Sequence, residues 1–171
     1  MIDALIRDFR QPEYLHVLLN PLPIYGLAVG LLGLFIALIL RSRHGQIATL
    51  AIILFSAGMA WPVFELGERS YDRVLSMSDE DGRAWLAAHQ HRADRLIYFF
   101  YALAIVSLAA IVVPMIYPRS SLGLVLVTLL LGFVVLGMGA YIARAGGKIR
   151  HREFRNGPPP KVESEQRNSS D

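Results

Sequence analysis

Hydrophobic residues in this chain are concentrated in four long stretches, at residues 22–40, 45–64, 96–118 and 120–143. None of the stretches contains Asp, Glu, Lys or Arg. Each is close to the roughly 20 apolar residues that a helix needs to cross the core of a bilayer. The pattern therefore predicts four transmembrane helices.

Short connections separate the first stretch from the second, at residues 41–44, and the third from the fourth, at residues 117–119. Connections this short make two antiparallel hairpins. The predicted fold is therefore all-α, an integral membrane up-down-up-down four-helix bundle. Residues 78–81 are typical of an N-cap followed by acids, and predict a helix that continues into the third span. Pro62 and Pro114 lie near helix ends, where neighbouring groups can satisfy the backbone.

The chain outside the spans divides into an interfacial segment and a tail. In residues 1–14, apolar residues recur at helical spacing among charged ones, which predicts an amphipathic segment lying in the membrane interface. Residues 15–155 form the transmembrane domain. Residues 156–171 contain three consecutive prolines and many polar residues, and predict a disordered tail.

The composition excludes several classes of protein. With 54% hydrophobic residues, 18% charged residues and a mean hydropathy of +0.41, the 171-residue chain is too apolar for a small soluble domain or a disordered one. The absence of cysteine excludes disulfides, thiolate metal sites and iron–sulfur clusters. The spans lack the charged residues of ion-coupled transporters, and nothing indicates a nucleic-acid-binding module. The lipid bilayer is therefore the first partner expected.

The distribution of charge predicts the orientation of the bundle. Four spans put both termini and residues 65–95 on one side, which we call the near side. Fourteen of the seventeen Lys and Arg residues lie on the near side, and Arg41, Arg43 and Arg119 lie on the far side. The positive-inside rule then places the near side, with both termini, in the cytoplasm. The basic residues at 144–155 are also suited to attracting anionic lipid headgroups.

Histidines are the residues best suited to chemistry. Four of the five lie on the near side at about the same depth: His16, His89, His91 and His151. Two helix-borne histidines that face each other can be the axial ligands of haem b, and three nitrogens with a carboxylate suit zinc or non-haem iron. Glu65 and Glu68, at the end of the second span, could supply that carboxylate.

Helical periodicity separates His89 from His91, because residues two apart point to nearly opposite faces. His89 falls on an apolar stripe and His91 on a wetter one, so His89 is the better inward ligand. The candidate ligands are therefore His16, His89 and His151. An interfacial role without any ligand is the alternative, since histidine is common where its polar tip reaches water.

Small residues form a second pattern. Glycines recur at helical spacing in the first and fourth spans: Gly26, Gly30, Gly33, Gly132, Gly137 and Gly139. Such residues let membrane helices approach closely. We favour packing inside the bundle over a face for a partner subunit. No internal repeat is identified, although the two hairpins are similar in size.

The start of the first span resembles a known bacterial membrane family. Leu15-His16, followed by residues 20–24 (Asn-Pro-Leu-Pro-Ile), is similar to the opening of the family of domain of unknown function 2231. Later landmarks are similar too: Gly67, His89, Gly146-Gly147 and His151. Val17 and Pro21 depart from the pattern, so one histidine of the family is missing. The resemblance implies four membrane helices, a bacterial inner membrane and an association with electron transfer.

No set of residues in the chain requires catalysis, so an enzyme is not expected. The first functional hypothesis is a small accessory or structural subunit of a larger bacterial membrane complex, one involved in electron transfer. The alternative is a membrane redox protein that binds haem b or a transition metal through its near-side histidines. Both hypotheses can hold for one protein.

Overall fold

The computed structural model describes residues 7–160, which are helical almost throughout. In chain order the helices are α1 (Pro12–Leu19), α2 (Leu27–Ile39), α3 (Arg43–Gly58), α4 (Ala60–Ser76), α5 (Glu80–Ile116) and α6 (Ser121–Arg150). A π-helical turn, Leu22–Gly26, joins α1 to α2, and short 3-10 turns, Pro118–Ser120 and Arg152–Phe154, follow α5 and α6. No strand occurs among the described residues, and the predicted all-α fold is confirmed.

The helices form the predicted up-down-up-down bundle. Helix α2 packs against α3 and α6, and α5 packs against the same two helices, which closes a ring of four. Four helical stretches are long and apolar enough to cross a membrane: Pro12–Ile39, Arg43–Ser76, Glu80–Ile116 and Pro118–Arg150. Each stretch is longer than the apolar run that predicted it, because each helix continues on the near side. There α1 packs against α4.

The bundle is apolar both inside and outside. Leu31, Leu50 and Leu103 are buried at its centre, whereas Leu32 and Leu130 are 62% and 69% exposed on its outer surface. Large apolar side chains on the outside of a helical bundle are what contact with lipid tails requires. The surface is therefore compatible with insertion into a membrane.

The two prolines are accommodated in different ways. Helix α3 ends at Gly58 and α4 begins at Ala60, so Pro62 lies in a first turn, where a backbone N–H has no helical partner. Pro114 lies inside α5 and cannot donate to the carbonyl of Ala110. The guanidinium of Arg43 donates to that carbonyl instead, at 3.0 Å.

The predicted beginning of α5 is confirmed. Asp79 is the N-cap, and its Oδ1 accepts a hydrogen bond from the backbone N–H of Gly82 at 2.9 Å. Residues 1–6 of the predicted amphipathic segment and residues 161–171 of the predicted tail lie outside the described residues. Residues 156–160 contain no helix.

Candidate functional site

Packing of the two hairpins brings His16 and His89 together at the near side of the bundle. The centres of the two imidazole rings are 6.4 Å apart, and the ring planes are nearly perpendicular, at 85°. His16 comes from α1 and His89 from α5, so the first and second hairpins each supply one ring. We call these two residues the histidine pair.

Each ring of the histidine pair is held through its Nδ1 atom by a backbone carbonyl of the neighbouring helix. Nδ1 of His16 lies 2.8 Å from the carbonyl oxygen of Val63, and Nδ1 of His89 lies 3.0 Å from that of Ile142. Because a carbonyl can only accept, Nδ1 is the donor in both bonds. In the neutral rings the free lone pair is therefore on Nε2. A metal-binding histidine is usually held in this way, with its second nitrogen donating to a carbonyl or carboxylate.

Glycines provide the space that the two rings occupy. A β-carbon added to Gly67 would lie 3.0 Å from Cε1 of His16, and one added to Gly146 would lie 3.1 Å from Cε1 of His89. Gly67 follows the carbonyl partner of His16 by four residues, and Gly146 follows the carbonyl partner of His89 by four. The two hairpins thus repeat one arrangement of histidine, carbonyl and glycine, a repeat that the sequence did not reveal.

A cavity of about 460 Å³ lies on one side of the histidine pair. It is formed by α1, α4, α5 and α6, and its lining includes the charged residues Glu13, Glu68 and Arg150. Its volume falls within the range of about 300–1,000 Å³ that is usual for small-molecule sites.

A smaller cavity of about 70 Å³ lies on the other side of the pair, deeper in the bundle. Its lining is mainly apolar and includes Ile24, Ile97 and Phe100. The histidine pair contributes to both linings and so lies between a larger cavity that includes charged side chains and a smaller one lined mainly by apolar side chains.

The other predicted ligands are not assembled with the histidine pair. His151 lines neither cavity; its Nδ1 is 2.8 Å from Oε1 of Glu153, and its ring stacks on Phe154. Glu65 also lines neither cavity. Glu68 lines the larger one, and its Oε1 accepts a hydrogen bond from Gln90 at 2.9 Å. Within residues 7–160 no group of three or more His, Asp or Glu side chains could hold a metal ion. The structure therefore does not support the predicted site of three nitrogens and a carboxylate.

The two neighbouring histidines of α5 face different surroundings. His89 lines both cavities, whereas His91 is exposed. His44, on the far side, is exposed as well.

Five of the six predicted packing glycines lie where another helix or the π-turn comes close. An added β-carbon would meet Thr49, Ile53 or Ser56 at Gly33, Gly30 and Gly26, would meet Leu31 at Gly132, and would meet Ile24 and Phe100 at Gly139. At Gly137 it would meet nothing within 4 Å. The glycine-rich faces are thus used inside the bundle.

The carbonyl groups of Val63 and Ile142 could not be identified from the sequence, because a backbone acceptor has no residue-type signature. In the sequence, Gly67 and Gly146 stand out only as landmarks of the family that the chain resembles. No protein-family model matches the chain, and searches of curated proteins and of solved structures find no match. The fold and the site thus describe a bundle of four long apolar helices with two paired histidines at one end.

Proposed function

We propose that this chain is a small membrane redox protein that holds a haem b between His16 and His89. In this proposal it acts as a subunit or partner of a larger electron-transfer complex. The proposal combines both hypotheses from the sequence and assigns the chemistry to the histidine pair.

The distance between the two rings is the observation that carries the proposal. Two imidazoles that bind one metal ion from opposite sides, at the ~2.0–2.1 Å typical of a metal–histidine bond, have ring centres roughly 6 Å apart. The observed separation is 6.4 Å. Both rings are also held at Nδ1 by carbonyls, which leaves Nε2 to bind the metal.

Haem suits this site better than a bare metal ion does. A transition-metal ion bound only by protein usually needs three or four side-chain ligands, whereas haem brings four nitrogens of its own and needs two axial ligands. The larger cavity, about 460 Å³ in volume, supports a ligand of more than a few atoms. The apolar lining of the deeper cavity supports a flat macrocycle with an apolar edge.

Two histidine ligands favour electron transfer over catalysis on a bound substrate, because they leave no open position on the iron. A haem held by His16 and His89 would supply one-electron redox chemistry, taking an electron from a redox centre of a partner subunit and passing it to an acceptor centre. No covalent bond forms or breaks. The chain's role is to orient the two imidazoles and to raise their basicity through the carbonyl hydrogen bonds.

A visible spectrum tests the proposal. The full chain, purified in mild detergent with added haemin, should show a Soret band that shifts on reduction. His16→Ala and His89→Ala should each lose that six-coordinate spectrum, while His91→Ala, an exposed histidine on α5, should keep it. A protein that takes up no haemin, or spectra unchanged in both ligand variants, would refute the proposal. A metal content near one per chain without haem would instead assign the pair to a bare ion.

We also propose that the protein lies in a bacterial inner membrane with its near side in the cytoplasm. The excess of Lys and Arg on that side supports this orientation. A reporter enzyme fused after Asp171 should be active when it is a type that works only in the cytoplasm. Activity of a periplasm-only reporter at the same position would reverse the orientation.

A further inference from the structure

We infer that Arg150 binds the carboxylate groups of the ligand held by the histidine pair and thereby directs them toward the near side. The inference rests on the proposed function, and for haem the carboxylates are its two propionates. It assigns the cofactor one orientation in the bundle, with its apolar edge pointing into the smaller cavity.

The two cavities beside the histidine pair differ in chemistry. The deeper one is lined by apolar side chains such as Ile24, Ile97 and Phe100. The larger one contains Tyr71 and Arg150 as well as carboxylates. An occupant that spans both can place an apolar end in the smaller cavity and a carboxylate beside Arg150 in the larger one, as haem can.

Arg150 is the one Lys or Arg side chain among the residues that line the two cavities. It is exposed, and within the described structure its guanidinium has one hydrogen-bond partner, the sulfur of Met77 at 3.8 Å. A thioether is a weak acceptor, and this contact is long. The guanidinium is therefore available for a stronger acceptor.

The two carboxylates in the lining of the larger cavity already have partners. Glu13 forms an ion pair with Arg73 at 2.6 Å, and Glu68 accepts a hydrogen bond from Gln90. Arg73 does not line the cavity. Arg150 thus supplies the positive charge that a dianionic ligand needs at this end.

The backbone at Arg150 is fixed, so its side chain starts from a defined position. Arg155 donates hydrogen bonds to the carbonyls of Lys148 at 2.7 Å and Ile149 at 2.8 Å, in the last turn of α6. The guanidinium of an arginine can form two parallel hydrogen bonds to a carboxylate, which makes it selective for that group.

The test compares haem with its dimethyl ester, in which both propionates are blocked. Each ligand is titrated into the full chain in detergent, for the wild type, Arg150→Gln and Arg144→Gln. Arg144 is an exposed arginine on the same helix that lines neither cavity, so its variant is matched in charge. The wild type should bind haem more tightly than the ester by about tenfold or more, the size expected for a charge-assisted hydrogen bond. Arg150→Gln should lose most of this preference, and Arg144→Gln should keep it.

The affinity for the ester serves as the control for folding, because it should be the same in all three proteins. Equal binding of both ligands by the wild type, or an unchanged preference in Arg150→Gln, would overturn the inference. A variant that loses affinity for haem and ester alike would also overturn it, since Arg150 would then support the cavity and not the carboxylates. Failure of the wild type to bind either ligand would overturn the proposed function itself.

Discussion

Each imidazole of the histidine pair lies against a glycine of the neighbouring helix and donates to a carbonyl four residues before that glycine. The position of the His16 ring therefore depends on the space at Gly67, and the position of the His89 ring depends on the space at Gly146. At the residue scale, the site consists of two imidazoles held by backbone groups. Backbone carbonyls in a helix are held in place by the whole helix, so they are more rigid partners than side chains.

Alanine at either glycine should weaken ligand binding without removing a ligand. The added carbon would lie 3.0 Å from His16 in Gly67→Ala and 3.1 Å from His89 in Gly146→Ala, so each ring must shift by a few tenths of an ångström. Overpacking of this kind costs about 1–3 kcal/mol of folding free energy, and we expect the displaced ring to bind haem less tightly than in the wild type. Titration with haemin, followed by the Soret band, measures the effect.

Gly137→Ala is the matched control for these variants, since its added carbon meets nothing within 4 Å. It should bind haemin as the wild type does. If Gly67→Ala and Gly146→Ala also kept the wild-type affinity, the glycines would not be needed to position the rings.

At the scale of elements, the end of α6 and the beginning of α5 are tied together on the near side. Both carboxylate oxygens of Asp79, the N-cap of α5, accept hydrogen bonds from Arg155, at 2.8 and 2.9 Å, and Arg152 lies 2.9 Å away. Arg155 in turn binds the last carbonyls of α6. This connection holds the last turns of α6, which include the glycine against His89.

The connection should weaken in acid. Hydrogen bonds from Arg155, together with the N–H of Gly82 and the charges of Arg155 and Arg152, hold the pKa of Asp79 well below its ordinary value. A carboxyl group with a depressed pKa in the folded state stabilises the fold above its unfolded pKa and loses that contribution as the pH falls. We therefore expect stability to decline as the pH is lowered from about 5 toward about 2. Asp79→Asn should remove most of this decline, whereas Asp94→Asn, at an exposed position of α5, should not.

Tryptophan fluorescence can follow this transition. The ammonium group of Lys148 lies 4.1 Å from the centre of the Trp85 ring, so release of the end of α6 should change the emission of Trp85. The measurement uses a Trp61→Phe background, because Trp61 is the other tryptophan in the chain. If the emission of Trp85 changed with pH in the same way with and without Asp79→Asn, the loss of stability in acid could not be assigned to Asp79.

At the scale of the whole molecule, the histidine pair lies where the two hairpins meet, along with apolar contacts and the hydrogen bonds from Arg43 to Ala110 and from Gln90 to Glu68. His16 belongs to the first hairpin and His89 to the second, so a ligand bound by both links the halves of the bundle.

Haemin at a concentration a thousandfold above its dissociation constant should add about 4 kcal/mol to the free energy of unfolding. Thermal unfolding followed by circular dichroism should show a higher Tm for the wild type and for His151→Ala. His16→Ala and His89→Ala should show a smaller rise or none. A Tm that haemin raises equally in all four proteins would mean that it binds elsewhere.

Much of the structure at the scale of elements could be predicted from the local pattern of residues in the sequence. The four spans follow from uncharged runs of bilayer length, the beginning of α5 follows from the acids at 79–81, and the inward face of His89 follows from helical periodicity. Each of these depends on residues close together in the chain. The resemblance to a family and the orientation in the membrane are predictions from the same local information.

The pairing of His16 with His89 could not be predicted from the local pattern of residues in the sequence. Depth along the helices put His151 level with His16 and His89, but the chain turns after Arg150 and His151 pairs with Glu153 instead. The carbonyls that hold the two rings and the repeat that relates the hairpins carry no residue-type signal. A helix face is set by its own sequence, because side chains follow the backbone with a fixed period. Which helix faces contact each other depends on how the two hairpins pack, through contacts between residues far apart in the chain. The histidine pair is formed by this tertiary packing.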